Sequence, residues 1–224
     1  MSRRRSARPT RSTRPNGSRR WPTRPAIRTA LSSRSTSSAR TRRPSSSGTC
    51  NTRTSAASDF GPGDYLVNPD WQRGFKLLAK HNLVACVDTR PERLAKLAAL
   101  AKSAPDVIVC VDHCAFPQQR DDAYFQMWRQ AMKGLAEVPS VHMKVSGLGM
   151  GDPRWTIESI RPWVMSSIEI FGPERIVFGT NWPVDRMYSS YPDVINAYAE
   201  IISGFSQDEQ TAMFSRNAET LFRI

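Results

Sequence analysis

Four short, mostly β-branched runs punctuate the chain beyond residue 80: Leu83–Val87, Val107–Val111, Val141–Val145 and Ile176–Phe178. Each is too short for a helix; three are unbroken apolar runs of the kind a strand buried on both faces shows, and Val141–Val145 is interrupted by His142 and Lys144. Between them apolar residues recur every three or four positions, which predicts helices. One opens at Pro91 and carries Leu94, Leu97, Ala98 and Ala101 on one face, with proline at the first turn where its missing N–H costs nothing. A second presents Phe125, Trp128, Met132 and Leu135, and a third presents Ile157, Ile160, Val164, Ile168 and Phe171. A further helix, Trp71–His81, precedes the first strand. Two more follow the last, one starting near Tyr191 and one at Ser206, where Ser206 and Glu209 form an S-x-x-E capping box.

Alternating strands and helices of this kind build a parallel sheet from βα units. The spacing fits either a barrel or an open doubly wound sheet, and two features favour the barrel. No glycine-rich phosphate fingerprint follows any strand. Polar residues gather instead where the strands end: Asp88 after the first, Asp112 and His113 after the second, Ser146 after the third, Thr180 and Asn181 after the fourth. In a (β/α)₈ barrel of the TIM type those ends form the catalytic face. The expected fold class is therefore α/β, with four parallel strands supplying the C-terminal half of such a barrel.

Charge divides the 224 residues into two parts. Residues 1–60 hold 15 Arg, no Lys, 14 Ser and a single acidic residue, Asp59, which leaves 17 basic and 19 acidic residues beyond it. The +12 net charge thus belongs to the N-terminal part. With few large apolar residues it cannot offset the entropy of ordering, so residues 1–60 are expected to be a disordered Arg/Ser-rich segment ahead of a domain spanning 61–224. Three readings of it stay open: an organelle transit peptide, a tail binding RNA or another polyanion, or the product of a GC-rich frame read out of register. The last is favoured, because a segment with no Lys among its 15 basic residues precedes a domain that uses Lys freely. No apolar run is long enough to span a bilayer, so no membrane partner is expected. Nucleic acid would be bound only through the tail.

Cys50, Cys86, Cys110 and Cys114 show no C-x-x-C pairing. Three of them lie in or just after strand-like runs, which suits buried thiols in a reducing cytoplasm rather than a disulfide framework or a zinc site.

The strand-end residues also carry a resemblance. Val111-Asp112-His113-Cys114 with Pro117, Lys144-Val145-Ser146-Gly147-Leu148, and Phe171-Gly172-Pro173-Glu174-Arg175 through Phe178-Gly179-Thr180-Asn181-Trp182-Pro183-Val184-Asp185 resemble successive blocks of the amidohydrolase-related family, near its lactonase-like members. The resemblance runs from about Tyr65 to the C-terminus. It implies a TIM-barrel hydrolase that adds water to a lactone or other carbonyl C–O or C–N bond. The implied cofactor is a divalent metal such as zinc, or none, and the partner a small-molecule substrate. The family's first strand carries an H-x-H pair; here the three histidines are His81, His113 and His142, so the first strands of the barrel are expected to be absent or replaced. A four-stranded piece would leave two sheet edges and an inner wall uncovered, which favours self-association into a homo-oligomer.

The resemblance assigns the candidate residues. His113 is the first catalytic candidate and the candidate metal ligand, with a hydrogen-bonded strand-end His as the bland alternative. Asn181 stands where many relatives have an aspartate; Asp185, four positions on, would take the charged role or else cap a turn or pair with Arg186. Lys144 is a candidate for binding a substrate carboxylate or for a structural ion pair with Asp112 or Asp88. Asp88 and Arg90 are further substrate-binding candidates. His81 is explained by a helix C-terminus, and His142, mid-strand, reads as structural.

Overall fold

A computed structural model of the chain describes residues 54–58 and 65–224. Five strands form one parallel sheet in sequence order: β1 Thr54–Ser58, β2 Val84–Asp88, β3 Val109–Val111, β4 Val141–Val145 and β5 Ile176–Phe178. The helices are α1 Pro69–Lys80, α2 Leu94–Lys102, α3 Asp122–Ala136, α4 Ile157–Phe171, α5 Tyr191–Ile201, α6 Gln207–Thr211 and α7 Asn217–Phe222. All four anticipated strands are present. Strand β1 is an addition to the expected four, and the boundary drawn at residue 60 falls beyond it. Its sequence, Thr-Ser-Ala-Ala-Ser, has none of the branched apolar residues that mark a strand. What makes it one is pairing with β2, from Thr54 opposite Val84 to Ser58 opposite Asp88. The rest of the Arg/Ser-rich stretch, with the three readings attached to it, lies outside the described residues.

Alternation sends the side chains of each strand to opposite faces. Val87, Val109, Val111, Val141, Met143, Val145, Ile176 and Phe178 join the main core with the apolar stripes of α2 to α5. On the other face Val84, Cys110 and Val177 meet Leu221 of α7, with Cys86, Ile108, Ala218 and Phe222 packed around them. Helix α7 thus seals the N-terminal end of this inner face with apolar side chains. At the C-terminal end the same face turns polar, with Asp88, Asp112, Lys144 and Ser146.

The helix ends show why the segments stop and start where they do. Asn68 accepts hydrogen bonds from the backbone of Asp70 and Trp71 at the start of α1. Thr156, Ser190 and Ser206 each form a reciprocal capping box, at α4, α5 and α6. Such a cap is worth roughly 0.5–2 kcal/mol. His81 is the C-cap of α1.

Candidate active site

The polar ends of β3, β4 and β5 converge, and each is followed by a residue in the left-handed backbone region: His113 (φ 55°), Gly147 (φ 65°) and Asn181 (φ 55°). After β3 the departure is extended. His113, Cys114, Ala115 and Phe116 are all left-handed, a conformation that disfavours a residue with a Cβ by roughly 1–2 kcal/mol each. Tertiary contacts hold the turn. Ala115 N donates to Asp112 O at 3.0 Å and Phe116 N to His113 O at 2.8 Å. The indole Nε1 of Trp128, a residue with no exposed surface, donates to Cys114 O at 2.8 Å. Strain concentrated at strand ends, and over-determined by the surrounding structure, is a mark of functional positions.

The turn carries the half-buried His113 ring to the end of β4, where Nδ1 lies 2.8 Å from Ser146 Oγ. Burial, and then the nearby Lys144 cation, lower the His113 pKa to about 4, with Asp112 working the other way. The imidazole is therefore neutral at physiological pH. Gly147 makes the approach possible: a Cβ there would stand 2.7 Å from His113 Nδ1 and 2.6 Å from Met150 Cε.

Lys144 reaches Asp112 with Nζ–Oδ1 at 2.7 Å. Burial is the largest influence and opposes its charge, but Asp112, with smaller contributions from Cys110 and Cys86, outweighs it and the Lys144 pKa rises. Asp88 belongs to the same group. Burial and then Asp112 raise its pKa, while Lys144 and the exposed Arg90 pull it down. Of the two carboxylates named as possible partners for Lys144, Asp112 makes the direct ion pair.

The third group follows β5. Asn181 Nδ2 donates to Asp185 Oδ1 at 2.9 Å and also approaches Met150 Sδ at 3.4 Å. Asp185 is only 2% exposed; burial lifts its pKa to about 6, against the lowering effect of the Asn181 amide. No Asp185–Arg186 pair occurs among the described ion pairs. Met150 lies between this group and His113, so the assignments made from sequence fall into one neighbourhood, with Arg90 at its edge. His142 lies lower on β4 in register with Cys110, and burial lowers its pKa.

The same blocks place the chain among known proteins. A family model described as Amidohydrolase matches residues 50–224. The chain belongs to the amidohydrolase family. Among its relatives are the uncharacterized protein y4mH of Sinorhizobium fredii, 42% identical over 70% of this chain and 52% of the relative, and an L-fucono-1,5-lactonase of Burkholderia ambifaria, 30% identical over 60% of this chain and 47% of that enzyme. An amidohydrolase from Burkholderia multivorans with bound HEPES superimposes with a TM-score of 0.68 at 25% identity, covering 71% of this chain and 60% of that one. The same protein in a second crystal form holds zinc, with a TM-score of 0.68, 24% identity and 71% and 59% coverage. The chain spans about half the length of the curated relatives it matches, in keeping with five strands of a barrel that has eight when complete.

An amidohydrolase of this kind raises the question of a metal. His113 offers one imidazole, but among the described residues no three His, Cys, Asp or Glu side chains converge on a point that could hold an ion. The described donors do not fit a metal site of their own. None of the described helices is long and apolar enough to cross a membrane.

The partner that orients His113 is not legible from the sequence alone. Ser146 was visible as a strand-end residue, but its hydroxyl contact depends on the relative stagger of β3 and β4. Met150, which links the two halves of the site, carried no signal of its own.

Proposed function

We propose that this chain supplies the C-terminal wall of a hydrolase that opens lactones or related carbonyl compounds by adding water. The observation that carries the reading is the convergence of a neutral His113, a buried Asp185 ionising near neutrality and the Lys144–Asp112 pair at the C-terminal ends of consecutive strands. Ser146 fixes His113 through Nδ1 and leaves Nε2 as the nitrogen turned to chemistry. With Ser146 Oγ–H donating to Nδ1, the proton sits on Nε2, which can donate to the carbonyl oxygen as negative charge develops there. Asp185, held by Asn181, takes the proton from an attacking water. The water oxygen bonds to the carbonyl carbon; collapse of the tetrahedral intermediate breaks the ring C–O bond, and the proton passes to the leaving alkoxide. In this reading Lys144 and Arg90 hold a carboxylate or hydroxyl of the substrate, and Asp88 accepts from a hydroxyl.

The test is acid release at constant pH from L-fucono-1,5-lactone and simple aldonolactones by the full chain. Release above the spontaneous rate that His113→Ala and Asp185→Asn both abolish supports the assignment, and a rate equal to the spontaneous one overturns it for this chain.

A second reading is favoured by one observation: among the described residues the five strands form an open sheet with β1 and β5 at its edges. On that reading the chain is an inactive half-barrel that associates with its own copies, which sedimentation would show as a concentration-dependent oligomer without lactone hydrolysis. A role for the Arg-rich tail in polyanion binding would appear as steeply salt-dependent binding lost on removal of residues 1–53.

A further inference from the structure

Below the polar strand ends, the inner face of the sheet holds two sulfurs side by side. Cys86 on β2 and Cys110 on β3 are direct register partners in parallel strands, so their side chains leave the sheet on the same face. The neighbouring Cys86 and burial together hold the Cys110 pKa above its ordinary value. Neighbouring strands run about 4.8 Å apart, which lies within the range of roughly 4.4–6.8 Å between Cα atoms that a disulfide requires. Cys110 is buried, whereas Cys86 is partly exposed. Neither has a part in the proposed lactone chemistry. Cys114 is a different case, because it packs in the main core beneath the left-handed turn.

We propose that Cys86 and Cys110 form a dithiol site that a peroxide-class oxidant closes to a disulfide. The Cys86 sulfur gives its electron pair to one peroxide oxygen, the O–O bond breaks, and the departing hydroxide leaves as water with the thiol proton. Cys110 sulfur then attacks the Cys86 sulfenic acid; the S–S bond forms, the S–O bond breaks, and a second water leaves. Two thiols and one hydrogen peroxide give one disulfide and two waters. The link would join β2 to β3 directly beneath Asp88 and Asp112, next to Lys144, whose charge is already felt by both sulfurs.

The experiment uses the full chain, folded, treated with hydrogen peroxide, blocked with N-ethylmaleimide under denaturing conditions and mapped by peptide mass spectrometry. The expected result is a peptide pair joined through Cys86 and Cys110, short of two hydrogens, released by dithiothreitol and lost in both Cys86→Ser and Cys110→Ser. Three results would overturn the proposal: full alkylation of both residues after oxidation, sulfinic acid on Cys86 with Cys110 still alkylatable, or a disulfide running to Cys50 or Cys114 instead. The wild-type map decides the matter even if a serine variant fails to fold.

Discussion

The two faces of the sheet are built from alternate residues of the same strands and answer to different demands. The outer face is a continuous run of Val, Met, Ile and Phe packed against the helices, with ordinary backbone and no exposed surface at Val87, Val109, Val111, Val141, Met143, Val145 or Ile176. The inner face begins apolar under α7, passes through two thiols and a half-buried His142, and ends in carboxylates, a lysine and left-handed turns after β3, β4 and β5. Stability resides in the first set. The second contains features a stable fold would avoid: a carboxyl buried with its pKa raised, an imidazole stripped of water, and side-chain-bearing residues at positive φ. Their coexistence at one end of one face is what marks that end as the site.

The contrast can be broken in several places. The largest effect is expected from His113→Gly. It removes the imidazole, so lactone hydrolysis should fall by roughly 10²–10⁴-fold, while the free energy of unfolding holds or rises by about 1 kcal/mol because glycine accepts the left-handed conformation. Activity and urea titrations on the same preparation report both, and a large loss of stability would show that His113 is a structural residue.

Trp128→Ala is the outer-face counterpart. It empties a fully buried site and frees Cys114 O from its donor, and should cost roughly 3–5 kcal/mol in denaturant titrations. A cost under about 1 kcal/mol would be a surface-like response and would mean the left-handed turn does not depend on this packing.

Gly147→Ala sharpens the comparison at the boundary between the faces. The added methyl meets His113 Nδ1 and Met150 Cε at a position where φ is +65°, so stability should drop by about 1–2 kcal/mol. The His113 ring should also be displaced, visible as a shift of its imidazole proton resonances.

How much of the fold and site is legible in the sequence follows the same division. The outer face announces itself, because branched apolar runs and helical periodicity are local signals; β2 to β5, α1 to α5 and the Ser206–Glu209 cap could all be read directly. Strand β1 could not, since Thr54–Ser58 becomes a strand only by pairing with β2. On the inner face the residue types at the strand ends were readable and their partners were not. That His113 meets Ser146, that Lys144 chooses Asp112, and that Cys86 lies opposite Cys110 all depend on stagger between strands distant in sequence. The run of left-handed residues after Asp112 left no trace in residue type, because Cys, Ala and Phe are not residues that favour it.

The central claim, that Asp185 is the base of a water-adding site, predicts a particular pH dependence. Its folded pKa of about 6 lies above the ordinary 3.8. The fold therefore favours the protonated acid, and the stability this contributes is present below about pH 4 and lost as pH rises through about 6. The active, ionised form appears over that same upper interval, whereas His113, with its pKa near 4, is already neutral there. The measurement is kcat/KM for lactone opening between pH 5 and 8, corrected for spontaneous hydrolysis, in wild type and Asp185→Asn. The account predicts a wild-type rate that climbs through about pH 6 to a plateau, and a variant at the spontaneous rate throughout; a flat wild-type profile, or a limb near pH 6 that persists in Asp185→Asn, would contradict it.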